Sequence, residues 1–351
     1  GEMKEETQGD MTYVYATGDK TATLTMATVS DQDVIIPGSF KVGDVTYTVT
    51  AINNSVFKGN KSLVNLKISE NVKAIGAYVF QNCINLKKIE LPSTLTSIGE
   101  KAFDGCKAIT HVCSKVKSPF AISDNVFSAY TASLYVPEGT KASYNGKDGW
   151  NKFSNVAEGY LVDVLTLSDM TYDCIKKGDG ETATTTAILK KSAKTTARAI
   201  IPSSVELDKV AYKVTTIGKS AFSGNSKLVD ITISENVKSI EESAFENCSN
   251  ISNVVSKIQK PFAINDNVFS TSSATLYVPS GTRADYQKTD GWKKFMTVYE
   301  GEMKEETQGD MTYVYATGDK TAILVKTTTT ATDVFLPDSF AVDDVYYKVT
   351  T

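Results

Sequence analysis

The chain has 351 residues, 41% of them hydrophobic, which suits two or three domains with cores of their own. A formal net charge of −4 argues against a nucleic-acid binder, which would carry a basic face, and no apolar run approaches the ~20 residues that cross a bilayer as a helix. Five cysteines (Cys83, Cys106, Cys113, Cys174, Cys248) form no CxxC pair and leave one over in any pairing, which argues against a disulfide framework or a zinc site.

In chain order, the first landmark is residues 1–22 (GEMKEETQGDMTYVYATGDKTA), which recur letter for letter at 301–322. Alternation over Tyr13 and Tyr15, then Ala22, Leu24 and Met26, broken at Thr17-Gly18-Asp19, predicts a hairpin. Residues 39–49 predict a second, with Gly43-Asp44 at the turn. The two hairpins are expected to form a β cap over the open end of the segment that follows.

That segment has a 23-residue period. Phe57, Phe80 and Phe103 keep the step, as do Ile52, Ile75 and Ile98, and Leu66, Ile89 and Val112. Lys88-Ile89-Glu90-Leu91 reads as a short strand that sends Ile89 and Leu91 inward beside Leu86. Phe80 and Ile98 are expected to fill the coil from its turns. One coil cannot cover its own apolar face, so the units must stack into a right-handed spiral with a continuous core. Cys83 and Cys106 stand three residues after the Phe, where Asn60 stands in the first unit. Exchange of Cys and Asn at one small position predicts a buried ladder that packs tightly or bonds turn backbone; metal or redox use is the rival reading.

A strand is predicted at 134–139, then a short helix at 140–153 with Tyr144, Trp150 and Phe153 on one face. These aromatics are expected to plug the end of the spiral, with a carbohydrate platform as the alternative. A diverged second copy starts near Gly159 and repeats the period in Phe222 and Phe245, with Asn225 and Cys248 at the small position. It lacks one whole unit, which a stacked array tolerates because each coil touches only its neighbours. Its close, 282–295, repeats the aromatic set as Tyr286, Trp292 and Phe295. A third copy begins at 301, with 333–350 similar to 33–50, and Thr351 answers Ala51. The expected organisation is module 1 at 1–158, module 2 at 159–300, and a third β cap at 301–351 packed on the aromatic end of module 2. The native protein is expected to continue into a third array.

The unit with Ile, Phe, Cys or Asn, Leu and Ile-x-Leu-Pro, closed by Leu-Tyr-Val-Pro-x-Gly, Tyr, Gly-Trp and Phe, resembles the BspA-like (Treponema-type) leucine-rich repeats. These belong to surface proteins of anaerobic gut and oral bacteria. The resemblance covers most of 33–300 and the opening of the third copy, although the last unit of each module is degenerate after its strand. With the periods, it implies a β-rich, leucine-rich-repeat solenoid in two tandem modules, with β-hairpin N-terminal caps and short helical C-terminal caps. It also implies secretion or cell-surface display and protein-binding or adhesive roles, and it supplies no catalytic residues. The chain opens on Gly1 rather than Met, which leaves room for a removed signal or lipid anchor.

Few residues in the chain form a pattern that catalysis would need. The one histidine, His111, is replaced by Asn253 in module 2, and Cys113 by Val255, so a Cys-His or Ser-His-Asp site would work in one module only. No GK[ST] phosphate loop occurs. The acid pairs Glu241-Glu242 and Asp343-Asp344 lack metal-ligand spacing, and nothing selects a glycosidase carboxylate pair. The better surface is the outward side of the stacked strands. In module 1 it should present Asn65, Lys67, Lys88, Glu90, His111 and Cys113; in module 2, Asp230, Thr232, Asn253 and Val255. The expected function is an extracellular, non-enzymatic binding protein that recognises a host or bacterial surface protein or glycan. It is read without a cofactor, nucleic acid or membrane insertion in this segment. A spacer displaying another domain is the alternative, and a hydrolase ranks last.

Overall fold

The structure, a computed structural model, describes residues 1–178, 182–270, 273–330 and 336–350. Residues 333–335 and Thr351 of the third copy's match to the first lie outside them. Nearly every element is a strand, as a chain rich in Thr, Val and Tyr favours.

The first cap holds three strands where one hairpin was expected: β1 (Met3–Gln8), β2 (Met11–Ala16) and β3 (Thr21–Ala27), paired antiparallel in that order. β1 carries no alternating apolar pattern, because its MKEETQ side chains are almost all exposed. β4 (Asp33–Ile36) leaves the cap, and β5 (Ser39–Val42) and β6 (Val45–Ile52) form the second hairpin across Gly43-Asp44. Gly43 takes φ 58 there, a left-handed conformation that glycine adopts without strain. β6 runs parallel to β3, so both hairpins belong to one sheet, packed by Tyr13 stacked on Phe40 and by Tyr15 tilted against Tyr47, each pair with ring centroids 4.4 Å apart.

The coils follow as β7 (Asn65–Ile68), β8 (Ala74–Ile75), β9 (Lys88–Leu91), β10 (Ser97–Ile98) and β11 (His111–Ser114), then β12 (Ser133–Val136) and β13 (Asn155–Glu158). Two sheets result. The cap sheet continues through β6, β8 and β10 in parallel, so Ile52, Ile75 and Ile98 stand on a second ladder of very short strands. This corrects the expectation that Ile98 fills the coil from a turn; two residues are too few to show a period. The other sheet is parallel, in the order β13-β12-β11-β9-β7-β4. The array therefore starts at β4, ahead of the first periodic unit, and runs through the strand predicted after the last one.

Inside, Leu66, Ile89, Val112 and Leu134 form one buried row. Phe57, Phe80, Phe103 and Phe127 stack face to face at 5.1, 5.1 and 5.0 Å. Phe127 joins the ladder one residue off the period. The ladder ends on the aromatic plug. The predicted helix splits into α1 (Lys141–Asn145) and a 3-10 turn at Trp150–Lys152. Gly149 between them has φ 78, and a Cβ there would fall 2.4 Å from the Ile122 carbonyl oxygen. Trp150 is fully buried and donates Nε1–H to the Phe120 carbonyl at 2.9 Å, and Phe153 meets Phe127 edge-on at 5.2 Å. Buried rings cannot serve as a carbohydrate platform.

The second module repeats this plan with a parallel sheet of Arg198–Ile200, Asp230–Ile233, Asn253–Ser256, Thr275–Val278 and Thr297–Glu300. Its ladder is one member shorter: Phe222, Phe245 and Phe269, at 5.0 and 4.8 Å. A third cap sheet is formed by strands Met303–Gln308, Met311–Ala316, Thr321–Thr327, Ser339–Val342 and Val345–Thr350. The chain divides into two compact units, Gly1–Leu161 with Lys176–Ala183, and Val162–Ile175 with Thr184–Thr351. Within each unit the coils make a right-handed leucine-rich-repeat-type solenoid.

Candidate binding face

Side chains alternate along a strand, so the residues flanking the buried row point outward. Register across the parallel sheet of module 1 aligns them in two lines. Asp33, Asn65, Lys88 and His111 form one, and Ile35, Lys67, Glu90 and Cys113 the other. At the β4 end the face is open: Asp33, Ile35, Asn65 and Lys67 are exposed. Towards β11 it closes, with Lys88, Glu90 and His111 half-buried. Cys113 points outward by register yet is only 8% exposed, which corrects the expectation that it is presented to solvent.

Local pairs fix this surface. Asn65 donates Nδ2–H to Asp33 Oδ1 at 2.6 Å, and Lys88 pairs with Glu90 at 3.1 Å. His111 Nδ1 lies 2.8 Å from Thr110 Oγ1, and its ring stacks on Tyr135 at 6.2 Å. Half-exposed pairs of this kind add at most about 1 kcal/mol each to stability, so they orient side chains more than they hold the fold.

The counterpart in module 2 differs. Asp230 accepts from Asn253 Nδ2 at 2.8 Å and pairs with Arg198 at 3.0 Å, and Thr232 sits half-buried beside them. Val255, expected to be open, packs instead in an apolar cluster of Tyr277, Tyr299, Met303, Val314 and Ala316. The third cap therefore lies over the strand face, not over the Trp292 end as expected. Arg198 reaches Glu305 at 3.2 Å, and Arg283 pairs with Asp319. The Tyr277 hydroxyl is buried there without a hydrogen-bond partner among the described residues, and burial pushes its pKa up. A cavity of about 550 Å³ remains, lined by Arg198, Asp230, Asn253, Glu305, Thr307 and Lys326, among others.

The structure thus gathers Asp230 and Asn253 at one groove, and lines up Asn65 and Lys67 on an open part of the module 1 face and Lys88, Glu90 and His111 on its half-buried part. Arg198 was missed in the sequence because its segment reads as cap. Its equivalence to Asp33 becomes visible once 198–201 (RAII) is aligned with 33–36 (DVII). Among the described residues no group of three or more His, Cys, Asp or Glu side chains is placed to hold a metal ion, and no helix is long and apolar enough to cross a membrane.

Known proteins share the coil pattern. A family model described as a BspA type leucine rich repeat region, in 6 copies, matches residues 43–142 and 191–283. A leucine rich cell surface protein from Faecalibacterium prausnitzii A2-165 is 17% identical over 85% of this chain and 95% of its own, with a TM-score of 0.31. A leucine-rich repeat protein from Bacteroides capillosus is 21% identical over 44% and 99%, TM-score 0.32. The T. pallidum Leucine Rich Repeat protein is 16% identical over 83% and 94%, TM-score 0.30. No curated protein sequence matches the chain. The family match takes in more than half of the residues and falls on the two coil stacks, and the chain belongs to the BspA-type leucine-rich repeat family.

Proposed function

We propose that the chain is a secreted or cell-surface, non-enzymatic binding protein that recognises a host or bacterial surface protein or glycan through the strand face of module 1. The observation that carries this is a mixed-charge surface set on a parallel sheet, exposed at Asn65 and Lys67 and continuing into the half-buried Lys88, Glu90 and His111. Rigid strands hold such groups at fixed spacing, which lowers the entropy lost on binding. Membership of a repeat family whose coils supply surfaces rather than catalytic sets supports the same reading.

The test is an array of immobilised matrix proteins and glycans probed with the full chain. A ligand found there should lose about tenfold or more in affinity to the double variant Lys67→Glu, Lys88→Glu, a change of the size expected for central charged contacts. The melting temperature of the variant should fall by no more than the few degrees that loss of the Lys88–Glu90 pair costs. An array with no ligand, or a ligand indifferent to those substitutions, refutes the assignment.

A spacer role is the second reading, favoured by the seating of the third cap on Val255 and Tyr277 of module 2. It expects attachment to survive the Lys67 and Lys88 changes and reach to shorten when a module is removed.

A further inference from the structure

The parallel sheet of module 1 begins at β4, and the backbone bonds of β4 show which of its edges is used. The Gln32 carbonyl accepts from the Val64 and Asn65 amides at 2.8 and 2.9 Å, and the Ile36 carbonyl from the Ser69 amide at 3.0 Å. Peptide groups alternate in direction along a strand, so Gln32, Val34 and Ile36 face β7. Asp33 and Ile35 turn theirs the other way, where no strand pairs with β4 among the described residues. Module 2 has the same plan, although a whole module precedes it in the chain. The Ala197 carbonyl accepts from the Val229 amide at 2.8 Å, and the Ile201 amide donates to the Thr232 carbonyl at 2.9 Å. The Arg198 and Ile200 peptide groups are left on an open edge. The edge therefore belongs to the module, wherever the module stands. Edge strands are ordinarily shielded by charge, by proline or by a cover. Here Ile35 is 62% exposed and Ile200 68%.

The two edges differ in what lies beside them. Next to β4 a cavity of about 350 Å³ opens between the strand and the cap. Its walls include the buried Tyr13 and Phe40 and the exposed Asp10, Asp31 and Asp33, with no basic residue among the described residues that line it. Asp33 accepts from the neutral amide of Asn65 at 2.6 Å, so its charge is not cancelled there. In module 2 Arg198 takes the place of Asp33, and it is already held by Asp230 and Glu305.

We propose that the open edge of β4 is a strand-addition site for a partner protein, and that the segment it takes is extended and basic, with lysine or arginine beside an apolar residue. The Asp33 and Ile35 peptide groups offer N–H donors and carbonyl acceptors for main-chain bonds, which give affinity whatever the sequence. The apolar side chain enters the cavity over Tyr13 and Phe40, and the basic one meets the aspartates, so these contacts select the segment. Module 2 rejects the same segment, because Arg198 repels its charge. The site is the edge of the sheet rather than its outward face, so it goes beyond the role proposed for Lys67 and Lys88 and stands or falls separately from it.

The probe is a capped heptapeptide of alternating lysine and valine, titrated with the full chain and followed by fluorescence anisotropy. It should bind, and its glutamate-valine counterpart should bind at least about tenfold more weakly. Methylating the peptide nitrogens of either the lysines or the valines should abolish binding in one case and spare it in the other, because a strand offers β4 only one of its edges. On the protein side, Ile35→Pro removes an outward N–H and no bond to β7. It should weaken the peptide at least about tenfold while the melting transition is kept. Asp33→Arg copies the residue of module 2 and should reverse the preference between the two peptides. Failure of the lysine-valine peptide to bind, equal loss from both methylation patterns, or binding that ignores Ile35→Pro overturns the inference. Self-association in sedimentation velocity that Ile35→Pro removes would make a second copy the occupant, and overturns the assignment to a partner as well.

Discussion

Cys83, Cys106 and Cys248 each donate a thiol proton to the Phe carbonyl one coil back, at 3.2, 3.0 and 3.0 Å. Asn60 and Asn225 occupy the same slot where each stack begins, and there the longer side chain does more. Asn60 donates Nδ2–H to the Val29 carbonyl at 2.8 Å and accepts from the Ser62 and Leu63 amides. The exchange of Cys for Asn seen in the sequence is therefore positional: Asn ties the first coil to the preceding loop, and Cys joins coil to coil. Burial also sets the alkaline limit of the fold. It pushes Tyr13, Tyr144 and Tyr172 up to about 12 and Cys174 up to about 11. These groups are neutral when protonated, so the folded state holds its protons to higher pH than the unfolded one. Their contribution is fully present below the unfolded values of about 9 for Cys and 10 for Tyr, and is lost as pH rises through the folded values. Urea unfolding should give constant stability up to about pH 9 and a steep fall between about pH 9 and 12. Phenolate absorbance should appear together with unfolding. Phenolate formation without loss of structure would contradict this account.

Among the elements, what could be read from the sequence was whatever repeats. The Phe, Ile and Leu positions recur every 23 residues because each must meet its equivalent one coil away, and the stacked rings at about 5 Å are the outcome. Elements outside that rule stayed hidden. β1 buries almost nothing, β8 and β10 are too short to alternate, and Phe127 enters the ladder after a 24-residue step. The period itself makes a prediction. Deleting residues 76–98 joins Ile75 to Gly99 and leaves Phe57, Phe103 and Phe127 as a three-member ladder, the arrangement module 2 already has. That variant should unfold cooperatively by circular dichroism at a lower midpoint, since it loses one coil and one interface but no cap. Deleting residues 76–93 instead puts the coils out of step and exposes the inward row, so no cooperative transition for module 1 should remain. Equal behaviour of the two deletions would show that the period does not hold the stack.

For the whole molecule, the least legible feature was which faces are covered. The register of Val255 and Cys113 follows from alternation alone, but their burial depends on what lies over the strands, and no pattern inside one module records that. What the repeat does provide is a pair of internal reporters. The chain has two tryptophans, one closing each Phe ladder: Trp150 lies 6.0 Å from Phe127, and Trp292 lies 5.9 Å from Phe269. Trp292→Phe leaves fluorescence to module 1, and Trp150→Phe leaves it to module 2. Phe80 is fully buried between Phe57 and Phe103, so Phe80→Ala should cost about 3–5 kcal/mol through lost burial and the cavity left behind. Solenoid stability is a sum of coil terms and nearest-neighbour terms, so this loss should stay within the stack that contains it. In denaturant titrations the Trp150 transition should fall by that amount, while the Trp292 transition moves by no more than about 0.5 kcal/mol, the scatter expected for distant sites. If Phe80→Ala lowers both transitions together, the two modules fold as one cooperative unit, and the nearest-neighbour account of this chain fails.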